Sequence, residues 1–195
     1  MSRDLFPDRE RSLEEQYARE RDAELIQKLR EKARLEEISA ALAAQLAVSD
    51  PALLQRVRDL GVTADTAPAF LLAPLVQVAW AEGAVAPRER ETVLRLAEQR
   101  GVAAGSPAHA QLAAWLDRRP ADALFDAAAE VVHAGFAVLP PAEREERVRA
   151  YVSAMRTVAE SAGGLGKLLG LATGVSPDEA TVVQQVARTL RGTQG

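Results

Sequence analysis

The sequence predicts an all-α protein, a bundle of short helices preceded by one long, charged helix. Three observations carry that expectation. Apolar residues recur at spacings of three and four, and period-two alternation is absent. Proline and glycine punctuate the chain at intervals that suit helix starts and stops. Charge is concentrated at one end: 20 of the first 37 positions are charged, against 32 of the other 158. The first part is therefore expected to face water and the second to hold the core.

The first helix is expected to begin at Ser12, where Ser12-Leu-Glu-Glu15 fits a capping box. No glycine or proline interrupts Asp8 to Asp50, and good helix formers fill the stretch. Its apolar stripe, Leu13, Tyr17, Leu25/Ile26, Leu29 and Ala33, is narrow and broken. That pattern predicts a mostly exposed helix, with Ile38, Leu42 and Leu46 docking its end on the core.

Ser49-Asp50-Pro51 then opens a helix whose buried side is Leu53, Leu54, Val57 and Leu60, and Gly61 ends it. Phe70 to Glu82 is apolar almost all round, as expected of a central helix, with Pro74 at a kink or in the first turn. Pro87 to Arg100 follows, and then the short helix Ala108 to Leu116. Ala121 to Leu139 keeps helical spacing through Leu124, Phe125, Ala128, Val131, Val132, Gly135, Phe136 and Leu139. Pro140-Pro141 breaks it, and Glu143 to Ala162 repeats the pattern. Ser176-Pro177-Asp178-Glu179 opens the last helix, with serine as N-cap, proline at N1 and glutamate at N3. The expected organisation is a helical arm over 1–48 and a bundle over 49–195.

Two stretches of the bundle look alike. Val78-Ala79-Trp80-Ala81-Glu82-Gly83 aligns on Val158-Ala159-Glu160-Ser161-Ala162-Gly163. Val85-Ala86-Pro87-Arg88-Glu89 aligns on Val175-Ser176-Pro177-Asp178-Glu179, after ten extra residues in the second copy. The bundle is thus expected to pair two related halves, about 66–101 and 146–191, around one core.

The stretch from Val78 to Gly101 resembles the TerB-like (tellurite-resistance) domain. That family shows an Ala-x-Ala-Asp-Gly-x-Val-x-x-x-Glu core, matched here by Ala79, Ala81, Glu82, Gly83, Val85 and Glu89, with Glu82 in the place of the usual aspartate. The resemblance, taken over about 50–193, implies an all-helical, stress-associated binding or scaffolding module near membrane-associated complexes. It implies no enzymatic activity, and it allows a divalent cation such as calcium or magnesium. Residues Phe6 to Asp22 are similar to the start of the zeta-type inhibitory subunit of bacterial F1-ATPases, an F-x-D-R-E-R-x-x-E-x-x-[FY]-A pattern. This second resemblance implies an inhibitor or regulator of a larger enzyme acting through the first helix.

Composition narrows the chemistry. The absence of cysteine excludes disulfides, thiolate metal sites and cysteine nucleophiles. Two histidines exclude a multi-histidine metal centre, so oxygen ligands are the remaining route to a metal. A net charge of −4, with basic and acidic residues interleaved, argues against nucleic acid. The candidate metal ligands are Glu82, Glu89 and Glu179, carboxylates suited to a hard cation. Ala162 stands opposite Glu82 in the second copy, which argues against two equivalent sites. The alternative makes Glu89 a capping carboxylate at a helix N-terminus and leaves Glu82 in solvent.

Gly163-Gly164-Leu165-Gly166-Lys167 lacks the spacing, the Ser/Thr and the preceding strand of a P-loop. It is expected to be a loop, and Leu165, Leu168, Leu169 and Leu171 are candidates to cover the bundle or to meet a partner or a membrane surface. Protein partners are accordingly expected at 1–48 or at 163–174. His109 and His133 have no serine-carboxylate constellation around them, and Trp80 and Trp115 are expected in the core. Neither a signal peptide nor a membrane span is evident, so a cytoplasmic location is expected.

Overall fold

A computed structural model of the chain describes residues 5–43, 50–162 and 175–192. Among them are nine helices and no strand, as the class predicts: α1 (Leu5–Ala43), α2 (Pro51–Asp59), α3 (Ala67–Phe70), α4 (Ala73–Ala79), α5 (Pro87–Glu98), α6 (Pro107–Asp117), α7 (Asp122–Ala137), α8 (Pro141–Ala162) and α9 (Pro177–Arg191). None of the described helices is long and apolar enough to cross a membrane. Leu46 and the segment 163–174 lie outside the described residues, as do the side chains of Ser12, Leu13 and Glu15.

Helix α1 runs from Leu5, about two turns before the expected Ser12. Pro7 falls in its first turn, where a missing N–H costs nothing. Its far end docks as expected: Ile38 and Leu42 are buried, and α1 packs on α2 and α3. Asp50 caps α2, accepting from the Ala52 and Leu53 amides at 2.9 and 3.4 Å. Gly61 ends that helix at φ 80°, a conformation that favours glycine.

The expected helix over Phe70 to Glu82 is two helices, and the second ends at Ala79. Pro74 is the reason: its ring would clash with the Phe70 carbonyl if α3 continued. The break at Leu71–Leu72 exposes a carbonyl that must be satisfied inside the core. Tyr151 of α8 does this, donating its hydroxyl to Leu71 O at 2.5 Å. Pro74 then sits in the first turn of α4.

α4 is the axis of the bundle. It packs against α5, α6, α7, α8 and α9, and of its seven residues only Gln77 is not buried. The indole of Trp80, just beyond α4, donates to the Trp115 carbonyl at 2.8 Å. That carbonyl lies in the last turn of α6, where backbone acceptors have no helical partner. Both tryptophans are half-buried against the core rather than sealed within it. Leu75 of α4 is fully buried, and so are Phe70, Phe125, Leu112, Met155 and Leu190 around it. An Arg56–Glu130 ion pair ties α2 to α7 on the surface.

Candidate site: two buried glutamates

α5 and α9 both pack on α4 and α8. Both begin with proline and carry glutamate three residues into the helix. At α9 the capping box is complete: Ser176 Oγ accepts from the Glu179 amide at 3.2 Å, and the Ser176 amide donates to Glu179 Oε2 at 2.6 Å. At α5 the N-cap is Ala86, which has no side-chain acceptor. Only the reciprocal half remains, with the Ala86 amide donating to Glu89 Oε2 at 2.7 Å. Each glutamate thus turns back across its own helix start, and that turn carries it inward. Glu89 is 4% exposed and Glu179 1%.

The two carboxyls are neighbours in the interior. Burial raises Glu89 from 4.5 to about 7, against the lowering effect of the Ala86 amide. The Glu179 carboxyl adds to the rise, by charge and by hydrogen bonding, and the charge of Glu82 adds a smaller part. Glu179 Oε1 is buried without a hydrogen-bond partner. Two ionised carboxylates offer acceptors only, so a proton on Glu89 or a cation would supply what that oxygen lacks.

Of the three expected ligands, the fold brings Glu89 and Glu179 together and leaves Glu82 exposed on the turn after α4. Among the described residues no group of three or more histidines, aspartates or glutamates is placed to hold a metal ion. The capping reading of Glu89 holds. The sequence pairs Glu89 with Glu82, its neighbour along the chain, and misses Glu179 as its neighbour in space. The alignment of Glu179 on Glu89 is the signal that could have found it.

The histidines are used locally. His133 Nδ1 lies 3.1 Å from the Leu190 carbonyl, near the end of α9. The His109 amide donates to Ser106 Oγ at 3.2 Å, and its ring lies 3.8 Å from Glu98. Neither touches the glutamate pair.

At the opposite extreme of burial stands the arm. Tyr17, Leu25, Ile26 and Leu29 are exposed, Leu25 by 57% and Leu29 by 58%. Its charged side chains pair along the helix, Lys28 with Glu24 at 2.7 Å and Lys32 with Glu36 at 3.9 Å, and the Gln27 amide donates to Glu31 Oε1 at 3.2 Å. Leu29 and Ile38 are nine residues apart, which at ~3.6 residues per turn is two and a half turns. The exposed apolar edge and the docking face therefore lie on opposite sides of α1.

Comparison with protein-family models, with curated proteins and with solved structures gives no match.

Proposed function

We propose that this chain is a non-enzymatic, stress-associated interaction module of the TerB-like type, a helical bundle carrying an arm that binds a protein partner. The observation that supports it is the edge of Leu25, Ile26 and Leu29 on α1. It points away from the bundle that Ile38 and Leu42 bury into, so the protein's own core has no use for it. The interleaved, mutually paired charges on the rest of the helix suit a partner surface of mixed charge rather than a polyanion.

A photo-crosslinking residue at Leu25 tests this against the same residue at Val138, an exposed apolar position on the bundle. The expected result is a discrete adduct at position 25 that Leu29→Glu removes. Identical adducts from both positions would sink the reading. Purified F1-ATPase given the full chain decides the alternative of a rotary-enzyme inhibitor: hydrolysis slows if the arm acts there and continues unchanged if it does not.

A second reading is supported by the unpartnered Glu179 oxygen. Here Glu89 and Glu179 provide two carboxylate ligands for a divalent cation such as calcium or magnesium, with water completing the shell. Binding would displace the proton that burial favours on Glu89, so affinity should climb as pH passes 7 and protons should be released. Calorimetric titration of the wild type and of Glu179→Gln with calcium, magnesium and manganese checks this. Equal heats from the two proteins would remove it.

A further inference from the structure

The break between α3 and α4 does more than satisfy Pro74. Together with the end of α5 and the facing sides of α7 and α8, it encloses a cavity of about 230 Å³ at the surface. Its apolar wall is Leu72, Val132 and Phe136, all buried residues. Phe136 meets Tyr151 edge-on, the ring centres 6.3 Å apart at 76°. The Tyr151 hydroxyl is committed to the Leu71 carbonyl, so the floor presents aromatic and aliphatic carbon rather than a free polar group.

The charge around this cavity has one sign. Arg100 and Arg147 line it, and no aspartate or glutamate does. Arg100 anchors through Nη1 to its own Leu96 carbonyl at 3.0 Å and has no carboxylate partner among the described residues. Its charge reaches the floor, where it offsets part of the upward push that burial gives the Tyr151 phenol. Arg147 has only a loose surface contact, 3.7 Å to Glu143 one turn away. Such exposed pairs are weak and exchange readily for a better anion.

We propose that this cavity binds a small monocarboxylate, its apolar body against Leu72, Val132 and Phe136 and its carboxylate between the Arg100 and Arg147 guanidinium groups. Shape and charge together select that class. The volume exceeds the ~150 Å³ of an apolar cavity that admits benzene and falls below the ~300 Å³ where drug-sized sites begin. One ring or one short chain fits. The planar fork of arginine matches a carboxylate with two parallel hydrogen bonds. The site is separate from the glutamate pair and does not depend on the arm.

An aromatic acid and a short fatty acid share this chemistry, and two probes separate them. The full chain is titrated calorimetrically with phenylacetate and with hexanoate, and then with the matching neutral amides. At least one acid should saturate at about 1 mM or tighter, the range open to a ligand of this size. Its amide should bind about tenfold more weakly, because the charge-assisted contacts are lost. Arg100→Gln and Arg147→Gln, both at exposed positions, should each weaken the acid by a similar factor while the unliganded proteins melt as the wild type does. Preference for one probe identifies the body of the ligand as ring or chain. Saturation by neither acid, equal affinity for acid and amide, or full affinity in the double variant would each overturn the proposal.

Discussion

At Glu89 the same side chain is held by one force and opposed by another. The helix start at Ala86 wants an acceptor, and the interior disfavours a charge. Because its folded value is about 7 against 4.5 for an ordinary glutamate, the folded state prefers the proton. The stability that follows is complete below pH 4.5 and is lost as pH rises through 7. Above that range the loss is on the order of 3 kcal/mol. Urea unfolding from pH 5 to 9 should record it. Glu89→Gln keeps an oxygen for the Ala86 amide and has no charge to gain, so its stability should stay level over the same range and exceed that of the wild type at the alkaline end. Gly192, at φ 74°, closes α9 beside His133, and a Cβ there would lie 3.0 Å from the ring. Gly192→Ala should therefore cost about 1 kcal/mol or more, measurable as a lowered melting temperature. The cap at Glu89 was legible in the sequence, because the residue types that close helices are few, whereas the one at Gly192 emerges only from the structure. The meeting of the two glutamates was not. Spacing along the chain says which residues share a helix end, but only the packing of α5 and α9 on common neighbours says which helix ends face each other.

Among the elements, α7 matched its expected periodicity closely, and α2, α5, α6, α8 and α9 differ from expectation by a few terminal residues. Their apolar faces and their caps agree with one another. The division of Phe70 to Glu82 was less legible. An all-round apolar stretch carries no periodic signal, so proline alone had to decide between a kink and a first turn. Its resolution depends on Tyr151, 80 residues away, which covers the carbonyl that the break exposes. Removing that hydroxyl while keeping the ring leaves Leu71 O buried and unpaired. Tyr151→Phe should destabilise by about 1–3 kcal/mol, as measured by urea unfolding. The arm gives the opposite contrast. Leu42→Ala empties a fully buried site and should cost about 2–5 kcal/mol, whereas Leu29→Ala should change thermal stability by less than about 0.5 kcal/mol.

For the whole molecule, the boundary at residue 48 is best placed earlier from the standpoint of stability. Ile38 and Leu42 belong to the same core cluster as α2 to α9, so the last turns of α1 are part of the bundle and the preceding turns are not. A chain beginning at residue 33 should melt within a few degrees of the full protein, and one beginning at residue 49 should melt much lower. Circular dichroism melts of the two truncations separate these outcomes. Composition indicated this division in outline, since the density of charge falls beyond residue 37.

The change of side along α1 also has a thermodynamic meaning. A ligand stabilises a fold only insofar as it prefers the folded chain to the unfolded one. An edge formed by Leu25, Ile26 and Leu29 is built from neighbouring turns of a single helix and borrows nothing from the bundle. Whatever grips it could order those turns on a chain whose bundle has melted as readily as on an intact one. Occupancy of the arm and unfolding of the bundle should then be uncoupled equilibria: a partner at saturating concentration would raise the helix content that survives bundle melting and leave the bundle's midpoint where it was.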